Sequence, residues 1–161
     1  MHIVFTTSDS FVSSVIRKVT RSQVSHVALR LQLEGVVVFL HADVGGVKIV
    51  PEDVFYTNRT SRYAFAFKEP VSPKLAVEYI GSRYDYIGLV GHLFRALLKW
   101  LGYSWKRPLQ SPRALVCSEF IARLGIVSFV GLDPENTTPH DLLEVCKGAP
   151  ELELVMKPLE G

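Results

Sequence analysis

Before residue 70 the hydrophobic pattern mostly has the period of extended chain, and after it the period of helix. His2–Thr6 reads as a short strand. Asp9 or Ser10 is placed to cap a helix over about Phe11–Arg21, in which Val12, Val15, Ile16 and Val19 recur at helical spacing. From Val24 to Leu33 the chain alternates: Val27, Leu29, Leu31 and Leu33 point one way, and His26, Ala28, Arg30 and Gln32 the other. Glu34-Gly35 marks a tight turn into a second strand, Val36–Ala42, rich in β-branched residues. Asp43-Val44-Gly45-Gly46 is a further turn before a strand at Val47–Val50. A helical turn starts at Pro51–Phe55, and Tyr63–Phe67 alternates again as a strand.

Ser72 and Pro73 open a helix over about Lys74–Ile80, proline suiting the first helical position. Ile87–Leu101 is apolar and long enough for a buried helix, Ser104–Pro112 is a proline-containing loop, and Leu115–Leu124 is helical with Gly125 at its C-cap. After a loop over Asp133–Pro139, Thr138 caps a helix over about Pro139–Cys146, and Glu151–Met156 forms a last strand. Strands thus gather early and helices late, without a repeat or linker. The expectation is a single α+β domain over residues 1–161.

Composition narrows the function classes. Of 161 residues, 48% are hydrophobic and 21% charged, with a mean hydropathy of +0.20, which excludes a disordered chain and suffices for a core without staples. The net charge of +2 gives no case for a nucleic-acid binder driven by global charge. Two cysteines, Cys117 and Cys146, make neither a disulfide scaffold nor a zinc knuckle, and there is no HExxH, phosphate loop or GxSxG elbow. No cofactor is expected. The N-terminus lacks the basic lead and apolar stretch of a signal peptide, and His92, Arg95 and Lys99 interrupt Ile87–Leu101 too often for a membrane span. A soluble protein of undetermined location is expected.

Cys117 opens a helix-like run, where unpaired backbone N–H groups and the positive end of the helix dipole favour a thiolate and can hold an oxyanion. A free cysteine is equally at home as a small core residue, and Cys146 in Leu142–Cys146 reads as core. His26 begins a strand, on the face opposite its large aliphatics, as an exposed residue or a general base. If the Glu34-Gly35 turn sets Leu33 opposite Val36, His26 faces Asp43 and Ala28 faces His41, so His41 sits diagonally from His26 at about 7–8 Å between backbones. Two groups, His41 and Asp43, are then available to orient an imidazole. A one-residue slip would put them on the wrong face. His92 reads as core and His140 as surface.

Ser25-His26-Val27-Ala28-Leu29, Tyr84-Asp85-Tyr86 and Val116-Cys117-Ser118-Glu119-Phe120, in that order, resemble the permuted papain-like hydrolases of the NlpC superfamily. The resemblance is to the YiiX/YaeF-like group, whose relatives include lecithin retinol acyltransferase-like enzymes, and spans about Phe5 to Leu143. It implies a barrel-like antiparallel sheet packed against helices, Cys117 as nucleophile, His26 as base, and His41-Ala42 where the family commonly has an acidic residue, with Asp43 as runner-up. It further implies a cysteine peptidase or amidase working through an acyl-enzyme, with cell-wall peptide (peptidoglycan) as substrate, in a wall-lytic or virion component. A lipid-directed thioesterase or acyltransferase is the alternative, with Ile87–Leu101 lining an acyl pocket. A non-enzymatic assembly module, as in a phage tail, is the third reading.

Overall fold

The computed structural model describes residues 1–69, 74–84, 90–91, 94, 98, 101–103, 114–124, 126 and 129–157. Its centre is a six-stranded, wholly antiparallel sheet of β1 (His2–Thr7), β2 (His26–Leu33), β3 (Val36–Asp43), β4 (Gly46–Pro51), β5 (Thr60–Phe67) and the chain's last strand, in the spatial order β4-β3-β2-β1-β5-last. The helices are α1 (Phe11–Thr20), α2 (Glu52–Tyr56), α3 (Lys74–Glu78), α4 (Cys117–Ala122) and α5 (Pro139–Gly148). A two-stranded parallel pair, β6 (Arg83–Tyr84) and β7 (Ala114–Leu115), forms a separate ladder beside β4, and β8 (Leu152–Met156) is the last strand. The class is α+β.

Strand alternation gives the sheet two apolar faces. Ile3, Phe5, Val27, Leu29, Leu40 and Phe65 enter the main core beneath α4 and α5, where Phe120, Ile121, Leu142 and Cys146 meet them. Val4, Ala28, Phe39 and Ala64 point the other way, under Phe55 of α2, whose ring stacks on Phe39 at 3.9 Å between centroids. The β2–β3 turn places Glu34 (φ 48°) and Gly35 (φ 85°) in the left-handed region, the geometry that suits a two-residue hairpin to strand twist. Leu33 pairs with Val36 and Leu29 with Leu40. This is the register that the spacing predicts.

Helix ends follow their capping residues. Ser10 accepts from the Ser13 N–H at the start of α1. Thr138 and Asp141 form a reciprocal capping box on α5, with Pro139 in its first turn. Two expectations are corrected here. The helix predicted from Leu115 starts instead at Cys117, because Ala114–Leu115 pairs as a strand with Arg83–Tyr84. Of the predicted buried helix over Ile87–Leu101 only scattered positions are described, of which Val90, Gly91, Phe94 and Leu98 are helical as expected. Its burial is partial, since Gly91 is buried and Leu98 half-buried while Val90, Phe94 and Leu101 are exposed, at 62%, 48% and 57%. Its remaining positions, including His92, lie outside the described residues, as do Ser72, Pro73, Gly125 and the loop 104–113.

Candidate active site

Where β2 begins and β3 ends, beside the start of α4, a cleft of about 510 Å³ opens, lined among others by His26, Asp43, Arg59, Tyr84, Cys117 and Ser118. His26 is the first residue of β2 and Cys117 the first of α4, so the two are brought together by the packing of helix against strand. The Cys117 sulfur is touched by the backbone amides of Val27, next to His26, and of Ser118. The thiol is 6% exposed, at the border between main core and cleft. Cys146 is buried in that core, away from the cleft lining.

His26 Nε2 lies 3.2 Å from Nδ1 of His41, with the rings nearly perpendicular at 88°. The diagonal placement read from the hairpin register therefore brings these two imidazoles into direct hydrogen-bonding contact. Phe55 packs against both, its centroid 6.3 Å from that of His26 and 5.2 Å from that of His41. Asp43, the alternative orienting group, lines the same cleft. Its carboxylate accepts from the Val44 N–H at 2.8 Å and from the Arg59 guanidinium. Arg59 also donates to Asn58 Oδ1 at 3.2 Å and stands over the Phe55 ring at 5.2 Å.

The electrostatics correct one expectation. The start of a helix was expected to favour the thiolate, yet the Cys117 thiol is pushed up to about 11. Burial is the largest cause and the Asp43 carboxylate adds to it, outweighing the amides of Val27 and Ser118, which favour the anion. His26 is held well below the ordinary imidazole value by burial, then by His41 and Arg59, with Asp43 opposing. His41 falls to about 4, by burial first and then Arg59. Asp43 is lowered despite its burial, through His26, the Val44 amide and Arg59. At neutral pH the resting site therefore holds a neutral thiol beside two neutral imidazoles. Burial also lifts Cys146, to about 12.

Arg59 and Phe55 escaped the sequence reading. Neither belongs to a motif, and both reach the site because α2 folds over the second face of the sheet. His140, expected on the surface, is half-buried in the first turn of α5, and Asp85 and Tyr86 lie outside the described residues. Among the described residues no three His, Cys, Asp or Glu side chains are arranged to hold a metal ion. The facing nitrogens of His26 and His41 are engaged with each other. No helix among the described residues is long and apolar enough to cross a membrane.

No family model matches the chain, and no curated protein matches it. Among solved structures it is similar to the crystal structure of the metalloprotein yiiX from Escherichia coli O157:H7, at 18% sequence identity and a TM-score of 0.56, over 99% of this chain and 97% of that one. At that identity the likeness is one of fold.

Proposed function

We propose that this protein is a cysteine hydrolase that cleaves an amide bond through a covalent acyl-enzyme, with Cys117 as nucleophile, His26 as general base and His41 as the residue that orients His26. The observation that carries the reading is the shared cleft of Cys117 and His26, with Nε2 of His26 already held by His41 at 3.2 Å. That contact engages Nε2 and leaves Nδ1 as the nitrogen for the thiol proton. In the tautomer this role requires, Nε2–H donates to His41 Nδ1, and the His41 proton sits on its buried Nε2, which has no other partner among the described residues.

The steps balance within these groups. His26 Nδ1 takes the thiol proton as the sulfur attacks the amide carbonyl carbon. Because thiol and imidazole rest neutral, this transfer accompanies attack. Collapse of the tetrahedral adduct breaks the C–N bond, and His26 returns the proton to the leaving amine. Water, deprotonated by His26, then hydrolyses the thioester and the thiol is restored. His41, as a neutral acceptor, steadies the transient His26 imidazolium.

A peptide amide suits the uncharged hydrogen-bonding groups along the cleft, among them Ser8, Ser10, Ser25, Asn58 and Thr138. We take a cell-wall peptide as the first substrate class. A second reading, hydrolysis or transfer of a lipid acyl group, is favoured by Val12, Ile16 and Val44, which form an apolar stretch of the same lining. The solved neighbour is described as a metalloprotein. The donors among the described residues do not fit a resident ion, and no step here runs through one.

The test is acylation read by intact mass, using muropeptides in one arm and acyl esters of increasing chain length in the other. The expected result is an adduct on Cys117 that is lost in His26→Ala and unaffected in Cys146→Ala. An adduct on neither cysteine, or labelling indifferent to His26→Ala, overturns the reading.

A further inference from the structure

Helix α1 is mounted against its own pattern. At 100° per residue, Phe11, Val12, Val15, Ile16 and Val19 fall in one arc of about 140°. The fully buried residue of the helix is Ser13, on the opposite side. Ser13 Oγ lies 2.6 Å from Ser25 Oγ and 3.4 Å from Thr7 Oγ1, and accepts from the Ser8 N–H at 3.1 Å. The helix is thus anchored to the sheet by hydroxyls, and the leading end of its apolar arc is left outside: Phe11 is 83% exposed and Val12 49%.

One of these exposed positions, Val12, reaches the cleft, and Phe11 precedes it on the helix. Val12 and Ile16 form part of the cleft lining, and so does Val44 from the β3–β4 turn, itself 66% exposed. Cations accompany them. Lys18, exposed in the last turn of α1, borders the arc beside Phe11, the helix has no acid in its first turn, and Lys48 of β4 reaches back to the Val44 carbonyl at 3.2 Å. The acids nearby are Asp9, ahead of the helix, and Asp43, which is paired with Arg59. A few protruding apolar side chains flanked by flexible cations are the pattern of an interfacial lipid-binding helix. They are too sparse for a stable protein interface, which buries about 800 Å² on each partner.

We propose that this face docks on the surface of an anionic phospholipid bilayer, with Phe11, Val12 and Val44 entering the interfacial layer and Lys18 and Lys48 facing lipid phosphates and carboxylates. The cleft mouth then opens toward the membrane. Docking of this kind is independent of the catalytic reading and is measured without it.

The experiment is co-sedimentation of the full chain with phosphatidylcholine vesicles and with vesicles of about one-third phosphatidylserine, at low and at physiological salt. The expected result is binding to the anionic vesicles about tenfold or more above the neutral ones, weakened by salt. Lys18→Glu should lower anionic binding about fivefold or more. Phe11→Ser should lower binding while leaving the thermal melt unchanged, because Phe11 is exposed. Cys117→Ser should bind like the parent, so that loss of catalysis and loss of docking are told apart. Equal retention by both vesicle types, no retention by either, or indifference to Phe11→Ser overturns the proposal. So does a concentration-dependent doubling of mass that Phe11→Ser abolishes, which would assign the face to a second copy of the chain.

Discussion

His41 concentrates the chemistry of the site in one contact. It is 1% exposed, it meets His26 through a single nitrogen, and burial and Arg59 hold it neutral. In the proposed reaction it is a positioning residue, and its substitution should affect turnover more than binding. His41→Leu fills similar space without an acceptor and should lower kcat about 100-fold with little change in KM. His41→Asn, which can present an oxygen near the position of Nδ1, should recover much of that loss. Steady-state kinetics with a substrate from the acylation screen checks both, and a Leu variant as active as Asn would remove His41 from the mechanism. That His41 and Asp43 share the face of His26 was readable in advance because strand pairing has a period of two and the Glu34-Gly35 turn sets the register. Arg59 was not readable, since nothing local to Asn58-Arg59-Thr60 says that its guanidinium ends on Asp43.

At the scale of elements, the cleft depends on how the edge strand β4 is held. The Val47 N–H donates to the Ser82 carbonyl at 2.9 Å, and the Gly81 N–H to the Val47 carbonyl at 2.9 Å, which carries the chain into β6 and its cleft residue Tyr84. Gly46 makes this approach feasible. It has φ +112°, and a Cβ there would stand 2.2 Å from the Ser82 carbonyl oxygen. Backbone would have to move on both sides, so Gly46→Ala should cost about 2–4 kcal/mol in chemical denaturation. Gly45→Ala, with open space around its Cβ position, should cost less despite its similar φ. Equal losses in the two variants would show that strain alone matters and that the contact with Ser82 does not. The turn itself was legible from Asp43-Val44-Gly45-Gly46, but not the segment that packs against it.

For the whole molecule, the buried imidazoles tie stability to pH. Both His26 and His41 are lowered in the folded state, so below the ordinary value of 6.5 the unfolded chain binds protons that the folded chain refuses. The stability associated with His41 is therefore present above 6.5 and is lost as pH falls toward about 4, where its loss is complete. The loss is on the order of 3 kcal/mol for that residue. A chain of this size should then lose about 5–10 °C in Tm between pH 7 and pH 4.5 through this group. His41→Asn should flatten the profile by a corresponding amount, and superimposable profiles for the two proteins would contradict the assignment.

What the sequence determined by itself is whatever depends on near neighbours. The α+β class, the β2–β3 register, the caps at Ser10 and Thr138 and the common face of His26, His41 and Asp43 all follow from periodicity and turn chemistry within a few residues or one hairpin. Tertiary structure decided what depends on distant chain. It set the protonation of Cys117, where burial beneath the sheet overrides the local pull of the helix start. It packed Phe55 against the imidazoles with Arg59 over the Phe55 ring, and it left Phe11 and Val12, the leading end of the apolar arc of α1, exposed. The physical reason is shared. Hydrogen-bond register and capping are settled by local geometry, whereas desolvation and the choice of which face is covered are set by every segment that packs there.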